Sequence, residues 1–147
     1  MRYLNEIRIH YKRRSLEITS KTIDSSHTAE SIFRSIWEEG SLDHRESFYA
    51  LFLSRSSQVV SYFRVSEGGL SGTVADVKLI FQAALGCNAS SIIVAHNHPS
   101  GNLKPSQADK DLTEKLRQAG KMLELPLLDH LILSSEGYFS FADEGLL

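Results

Sequence analysis

The chain has 147 residues, of which 41% are hydrophobic and 23% charged, with a net charge of −2. These are the proportions of an ordinary globular protein long enough to bury a core, and the charge excludes a general pull toward polyanions. No apolar run nears the length that crosses a bilayer and Met1–His10 holds no signal-peptide core, so a cytoplasmic address without a membrane partner is expected; the lone Cys87 excludes an internal disulfide and a thiolate metal cluster.

Leu4–Tyr11 alternates apolar and polar side chains and reads as a first strand. Arg8, Lys12, Arg13 and Arg14 make this end basic, whereas Met122–Leu147 carries five carboxylates and no Lys or Arg. Such a basic stretch is either a solvated strand end or a contact for nucleic acid. Between Thr28 and Glu39, Ile32, Phe33, Ile36 and Trp37 recur at helical spacing, and Gly40 follows as a stop. Ser47–Leu53 and Gln58–Val65 read as two strands joined by the polar turn Ser54–Ser57, and Gly68, Gly69 and Gly72 mark a loop.

Asp76–Leu85 is helical in pattern, with Val77, Ile80, Phe81, Ala84 and Leu85 on one side and Gly86 as its stop. Cys87, just beyond, is read as a small buried hydrophobe. Ser91–Ala95 is short, β-branched and uncharged, as in a strand buried on both faces. A helix is expected from Ser106 to about Gly120, carried by Ala108, Leu112, Leu116 and Ala119, and a last strand pair spans Leu127–Leu133 and Tyr138–Phe141. This order predicts an α/β fold, a mixed central sheet flanked by helices. No linker or repeat divides the chain, so one domain over residues 1–147 is expected.

The chemistry concentrates where the buried strand ends. His96 and His98, two residues apart on extended backbone, project to one side, and Pro99 favours extended geometry in the residue before it. Asp109 stands eleven residues on, in the first turn of the next helix, and the loop with Gly101, Asn102 and Pro105 can fold that turn back over the strand end. Two imidazoles and one carboxylate form a three-donor set that leaves a zinc position open for water. Such a site needs a general base; Glu46, before the strand Ser47–Leu53, is the favoured candidate and Glu67 its rival. Ser106 can donate to an oxyanion. Bland readings stand beside these: Ser106-x-x-Asp109 resembles a helix capping box, and Glu46 alone is a strand-end charge. His130 shares a strand face with Leu128 and Ile132 and reads as a hydrogen-bonded, partly buried histidine rather than a fourth ligand. Asn97 points away from the histidine side and is placed to fix the loop.

With these residues in view, His96-x-His98, seven residues, Ser106, two residues, Asp109 resembles the JAMM signature of JAB/MPN metalloproteases. Ala95–Asp109, with Leu128-Asp129-His130-Leu131 and Gly137-Tyr138, is similar to the RadC group, and Gly72-Thr73 resembles the segment before that group's central helix. The likeness is strongest over residues 46–147. It implies a cytidine-deaminase-like fold, zinc (Zn2+) on His96, His98 and Asp109, Glu46 as general acid/base and Ser106 at the oxyanion. RadC proteins commonly carry an N-terminal helix-hairpin-helix module, which Met1–Gly40 does not resemble.

Two functions follow. One is a zinc metallohydrolase cleaving a peptide or isopeptide amide in an unidentified peptide or protein. The other is a non-catalytic metal-binding module in DNA repair or another DNA transaction, contacting nucleic acid through Arg8–Arg14. A two-histidine, one-carboxylate iron site uses the same ligand types. Exposed sheet edges leave a dimer open.

Overall fold

The computed structural model describes residues 4, 6, 8, 22–68 and 74–147. The strand expected over 4–11, the residues Lys12–Arg14, and Gly69–Thr73 of the glycine loop lie outside these residues, apart from Leu4, Glu6 and Arg8. Among the described residues, three helices and five strands follow in the order α1 (Ser26–Ile36), β1 (Ser47–Leu53), β2 (Val59–Glu67), α2 (Val77–Gly86), β3 (Ser91–Asn97), α3 (Gln107–Met122), β4 (Leu127–Ser134) and β5 (Gly137–Ser140). The strands form one mixed sheet in the order β2-β1-β3-β4-β5. Among the described residues only the β3–β4 pairing is parallel, and α3 is the crossover that joins those two strands.

Two cores sandwich the sheet. On one face Ala29, Ile32, Phe33 and Trp37 of α1 and its end pack on Tyr49, Leu51, Leu53, Ile93, Ala95, Leu131 and Leu133. On the other, Ile80, Phe81 and Ala84 of α2 and Leu116 of α3 pack on Phe48, Ala50, Phe52, Ile92 and Val94. With helices on both faces, every residue of β1 and of β3 is buried, which accounts for the apolar runs Phe48–Leu53 and Ile92–Ala95 within them. The edge strand β2 keeps an alternating pattern of burial instead.

The differences from expectation sit at element ends and on helix faces. α1 starts before Thr28 because Ser25 is its N-cap, its hydroxyl accepting from the Thr28 N–H. That first turn is polar and lies outside the apolar period. The helix ends at Ile36 because Trp37 turns extended, three residues before the left-handed Gly40. On α2, Leu85 is exposed rather than part of the packed side. The buried face of α3 is Thr113, Leu116 and Gly120, while Ala108 is exposed.

Gly120 is a close approach. Its carbonyl accepts from Leu125 N–H at 2.8 Å, and a Cβ there would run into the Leu125 carbonyl, which is backbone and cannot turn aside. Gly120→Ala is therefore expected to destabilise the fold by about 1–3 kcal/mol despite alanine's better helix propensity. Chemical denaturation measures this, and a gain in stability would refute the assigned contact.

Candidate metal centre

Alternation along β3 sends His96 and Asn97 to opposite faces. His96 follows Ile92 and Val94 toward α3, and its ring stacks 5.9 Å from Phe48 with planes 4° apart. His98 lies just past the strand, where its N–H is held by the Leu133 carbonyl at 2.9 Å. The turn His98–Gly101 and the loop to Pro105 then bring the start of α3 over the two rings. His96 Nε2 lies 3.2 Å from Asp109 Oδ1, His98 Nε2 lies 3.4 Å from Asp109 Oδ2, and the two Nε2 atoms are 3.0 Å apart. One donor atom from each residue fits within 4.8 Å of the others, a grouping that can hold a metal ion. Side-chain exposure is 2% at His96 but 17% at His98 and 14% at Asp109. The group is therefore walled by the sheet and open toward His98 and Asp109.

Asp109 serves the helix and the histidines together. Ser106 Oγ accepts from Asp109 N–H at 3.1 Å, and Asp109 Oδ2 accepts from Ser106 N–H at 2.8 Å, a complete capping box. The capping reading of Ser106-x-x-Asp109 thus holds, and it fixes the rotamer that presents the carboxylate to His96 and His98. Burial by itself would raise the Asp109 carboxyl, but its close contacts with the His96 and His98 rings outweigh it and hold the group far below the ordinary carboxylate range. His98 moves the other way. Its bond to Asp109 raises it above 6.5, burial opposes this, and the Asn102 carbonyl, 2.5 Å from Nδ1, adds to the rise. With Nδ1–H given to that carbonyl, the lone pair of a neutral His98 is on Nε2, facing Asp109.

Asn97, on the α1 side, fixes the segment before β1. Its Nδ2 donates to Leu42 O at 2.6 Å and Arg45 O at 2.7 Å, and its Oδ1 accepts from Ser47 N–H at 2.7 Å. These bonds clamp the backbone on both sides of Glu46. Phe48 pairs with His96 at the end of the β1–β3 ladder, and Glu46 lies two residues before Phe48. Its charge is also among the smaller influences that raise His98 after the Asp109 bond. Glu46 stands outside the three-donor group. Glu67 is engaged elsewhere, by Arg45 at 3.0 Å and Arg64 at 3.8 Å.

Other expectations resolve in the same region. His130 is hydrogen-bonded, as its place in β4 suggested, but it is wholly buried rather than partly so, and it stands outside the donor group. Leu128 is exposed and does not share its face, because the β3–β4 register shifts between Ile92 and Ile93. Thr113, the partner of His130 at 2.7 Å, was missed. The available signal was a hydroxyl residue inside the apolar period of α3. Cys87 is half-buried, its thiol pushed up by burial, and it gives a hydrogen bond to Ala84 O. Of the basic N-terminal stretch only Arg8 is described, exposed and paired with Glu6.

The family model described as RadC-like JAB domain matches residues 23–146. The chain belongs to that family. The five-stranded mixed sheet with three helices agrees with a JAB/MPN fold. Among RadC-family relatives, a UPF0758 protein of Flavobacterium johnsoniae is 47% identical over 126 residues, covering 86% of this chain and 54% of the relative. One from Porphyromonas gingivalis is 48% identical over 104 residues, covering 70% and 46%. The UPF0758 protein CT0611 of Chlorobaculum tepidum is 42% identical over 103 residues, covering 70% and 46%. The chain thus spans about half the length of these relatives, whose names state no activity. No helix among the described residues is long and apolar enough to cross a membrane.

Asn97→Ala removes three hydrogen bonds of the RadC-like site, one buried and two part-buried, and takes the Asn97 partner from two carbonyls and one N–H. A loss of at least about 1–3 kcal/mol in stability is expected, measurable by denaturant unfolding; a loss below that range would refute the clamp. A pH effect follows from His98. Its native value is raised, so in protein kept in chelator the native state holds a proton that the unfolded chain releases. The stabilisation is full below pH 6.5 and is lost as pH rises through the raised value. Thermal melts in chelator should therefore fall over that interval, and a His98→Ala variant should lose this component of the decline.

Proposed function

We propose that this chain is a zinc-dependent metallohydrolase of JAMM type that cleaves a peptide or isopeptide amide. The observation that carries the reading is the convergence of His96 Nε2, His98 Nε2 and the Asp109 carboxylate in one group, closed by the sheet on one side and open on the other. Two imidazoles and a carboxylate suit zinc with a position left for water, and the His98 tautomer already directs a lone pair inward. Zinc held there would lower the pKa of a coordinated water and polarise a substrate carbonyl.

The remaining steps belong to the chain's own groups. Glu46, whose flanking backbone the Asn97 clamp holds and whose charge acts on His98, takes a proton from the attacking water and returns it to the leaving amine. Water and amide are thereby converted to a carboxylic acid and an amine. Ser106 Oγ accepts from Asp109 N–H and keeps its own hydrogen to give to the oxyanion. His96, His98 and Asp109 hold the metal, while the loop 99–105 and the segment before β1 border the open side.

Two measurements test this. Protein purified without added metal should contain about one zinc per chain by elemental analysis, absent from a His96→Ala, His98→Ala double variant. Glu46→Gln should keep that zinc and lose about 10²- to 10⁴-fold in hydrolysis of a peptide or isopeptide substrate. Absence of zinc from the natural chain, or unchanged turnover by Glu46→Gln, would overturn the proposal.

A further inference from the structure

Beneath the three donors runs a line of hydrogen bonds whose protons can be counted. Thr113 Oγ1 lies 2.7 Å from the Asp109 backbone carbonyl oxygen and 2.7 Å from His130 Nδ1. His130 Nε2 lies 2.8 Å from His96 Nδ1, and the far nitrogen of His96 faces Asp109 and His98. A carbonyl oxygen only accepts, so the hydrogen between it and Thr113 is the hydroxyl's own. Threonine has no second hydrogen to give. Toward His130 its oxygen can only accept, and His130 Nδ1 therefore carries a proton.

The His130 ring has no exposed surface. It stacks 4.8 Å from Phe141 with planes 9° apart and meets the edge of Phe48. Its nitrogens bond Thr113 and His96, with no carboxylate on either, so a second proton would create an uncompensated buried charge. His130 is thus neutral, with Nε2 bare, and the hydrogen between the two rings belongs to His96 Nδ1. His96 is left with its lone pair on Nε2, aimed where Asp109 and His98 converge. Where packing alone mattered, an apolar residue would fill this space without needing two directed partners.

We propose that Thr113 and His130 are positioning residues that set the tautomer and ring orientation of His96, so that an unprotonated Nε2 faces the metal position. The inference rests on the metal-site reading above. The line begins at the Asp109 carbonyl and returns through His96 to the Asp109 carboxylate, so one residue of α3 anchors both ends. His98 reaches the same tautomer through a separate acceptor, the Asn102 carbonyl. The two ligand histidines are thereby set independently.

The test uses the full chain with ring nitrogens read by ¹⁵N NMR in chelator, and zinc affinity by competition against a chromophoric chelator. In the natural chain both His130 and His96 are expected to carry the proton on Nδ1. Thr113→Val keeps the shape of the side chain but removes the acceptor. It should move the protons of both rings to Nε2 and weaken zinc binding about 10- to 100-fold, the usual effect of disturbing a ligand's hydrogen-bond partner. Thr113→Ser should restore both readouts. A proton on His130 Nε2 in the natural chain, or natural zinc affinity in Thr113→Val, would overturn the relay. If Thr113→Val fails to fold, the tautomers of the natural chain decide. Failure of the natural chain to bind zinc would count against the hydrolase reading, while its ring tautomers report on the relay without metal.

Discussion

Everything near the candidate centre depends on β3 being buried on both faces and flanked by β1 and β4. A strand in that position has no solvent side, so the polar residues at its end must find protein partners on both faces. His96 finds them under α3, in His130 and Asp109. Asn97, one residue on, finds them in the segment before β1. Two adjacent side chains of one strand end thereby set the donor group on one face and the backbone around Glu46 from the other.

The parallel β3–β4 pairing adds the second constraint. Parallel neighbours need a crossover, and here that crossover is α3, whose first turn holds Asp109 and whose second holds Thr113. The same connection that closes the sheet lays a carboxylate over the histidines and a hydroxyl over His130. In β4 the register places His130 opposite Val94 and Ile132 opposite His96, so the two histidine rings meet diagonally on one face. Fold and site are in this sense one set of contacts, and a change that slips β4 against β3 disturbs both.

Asp109 shows why structural and chemical readings of a residue need not compete. Its carboxylate caps α3 and faces two imidazoles, and its carbonyl accepts the Thr113 hydroxyl. The capping box orders the helix start, and an ordered helix start fixes the direction of the carboxylate. Its depressed pKa has the same origin: cationic or hydrogen-bonding partners on one side outweigh the desolvation of a half-buried acid. Gly120 and Thr113 likewise interrupt the apolar stripe of α3 where the packed surface requires a close backbone approach and a hydroxyl.

Local pattern determined much of this protein by itself. The strand character of Ser47–Leu53 and Ser91–Ala95, the helix beginning after Ser106, and the grouping of His96, His98 and Asp109 all follow from short-range periodicity and spacing. They depend on residues close in the chain, and the capping box ties Asp109 to the helix start without reference to any other segment. The tertiary structure decided the rest. Glu46 and Glu67 are alike as isolated glutamates, and only the folded structure leaves Glu67 to Arg45 and Arg64 while the charge of Glu46 acts on His98. Thr113 and His130 are seventeen residues apart and become partners only because α3 lies across β4. Local sequence carries propensity and period, whereas proton-by-proton partnership depends on register and crossing between segments distant in the chain, and those are settled by packing.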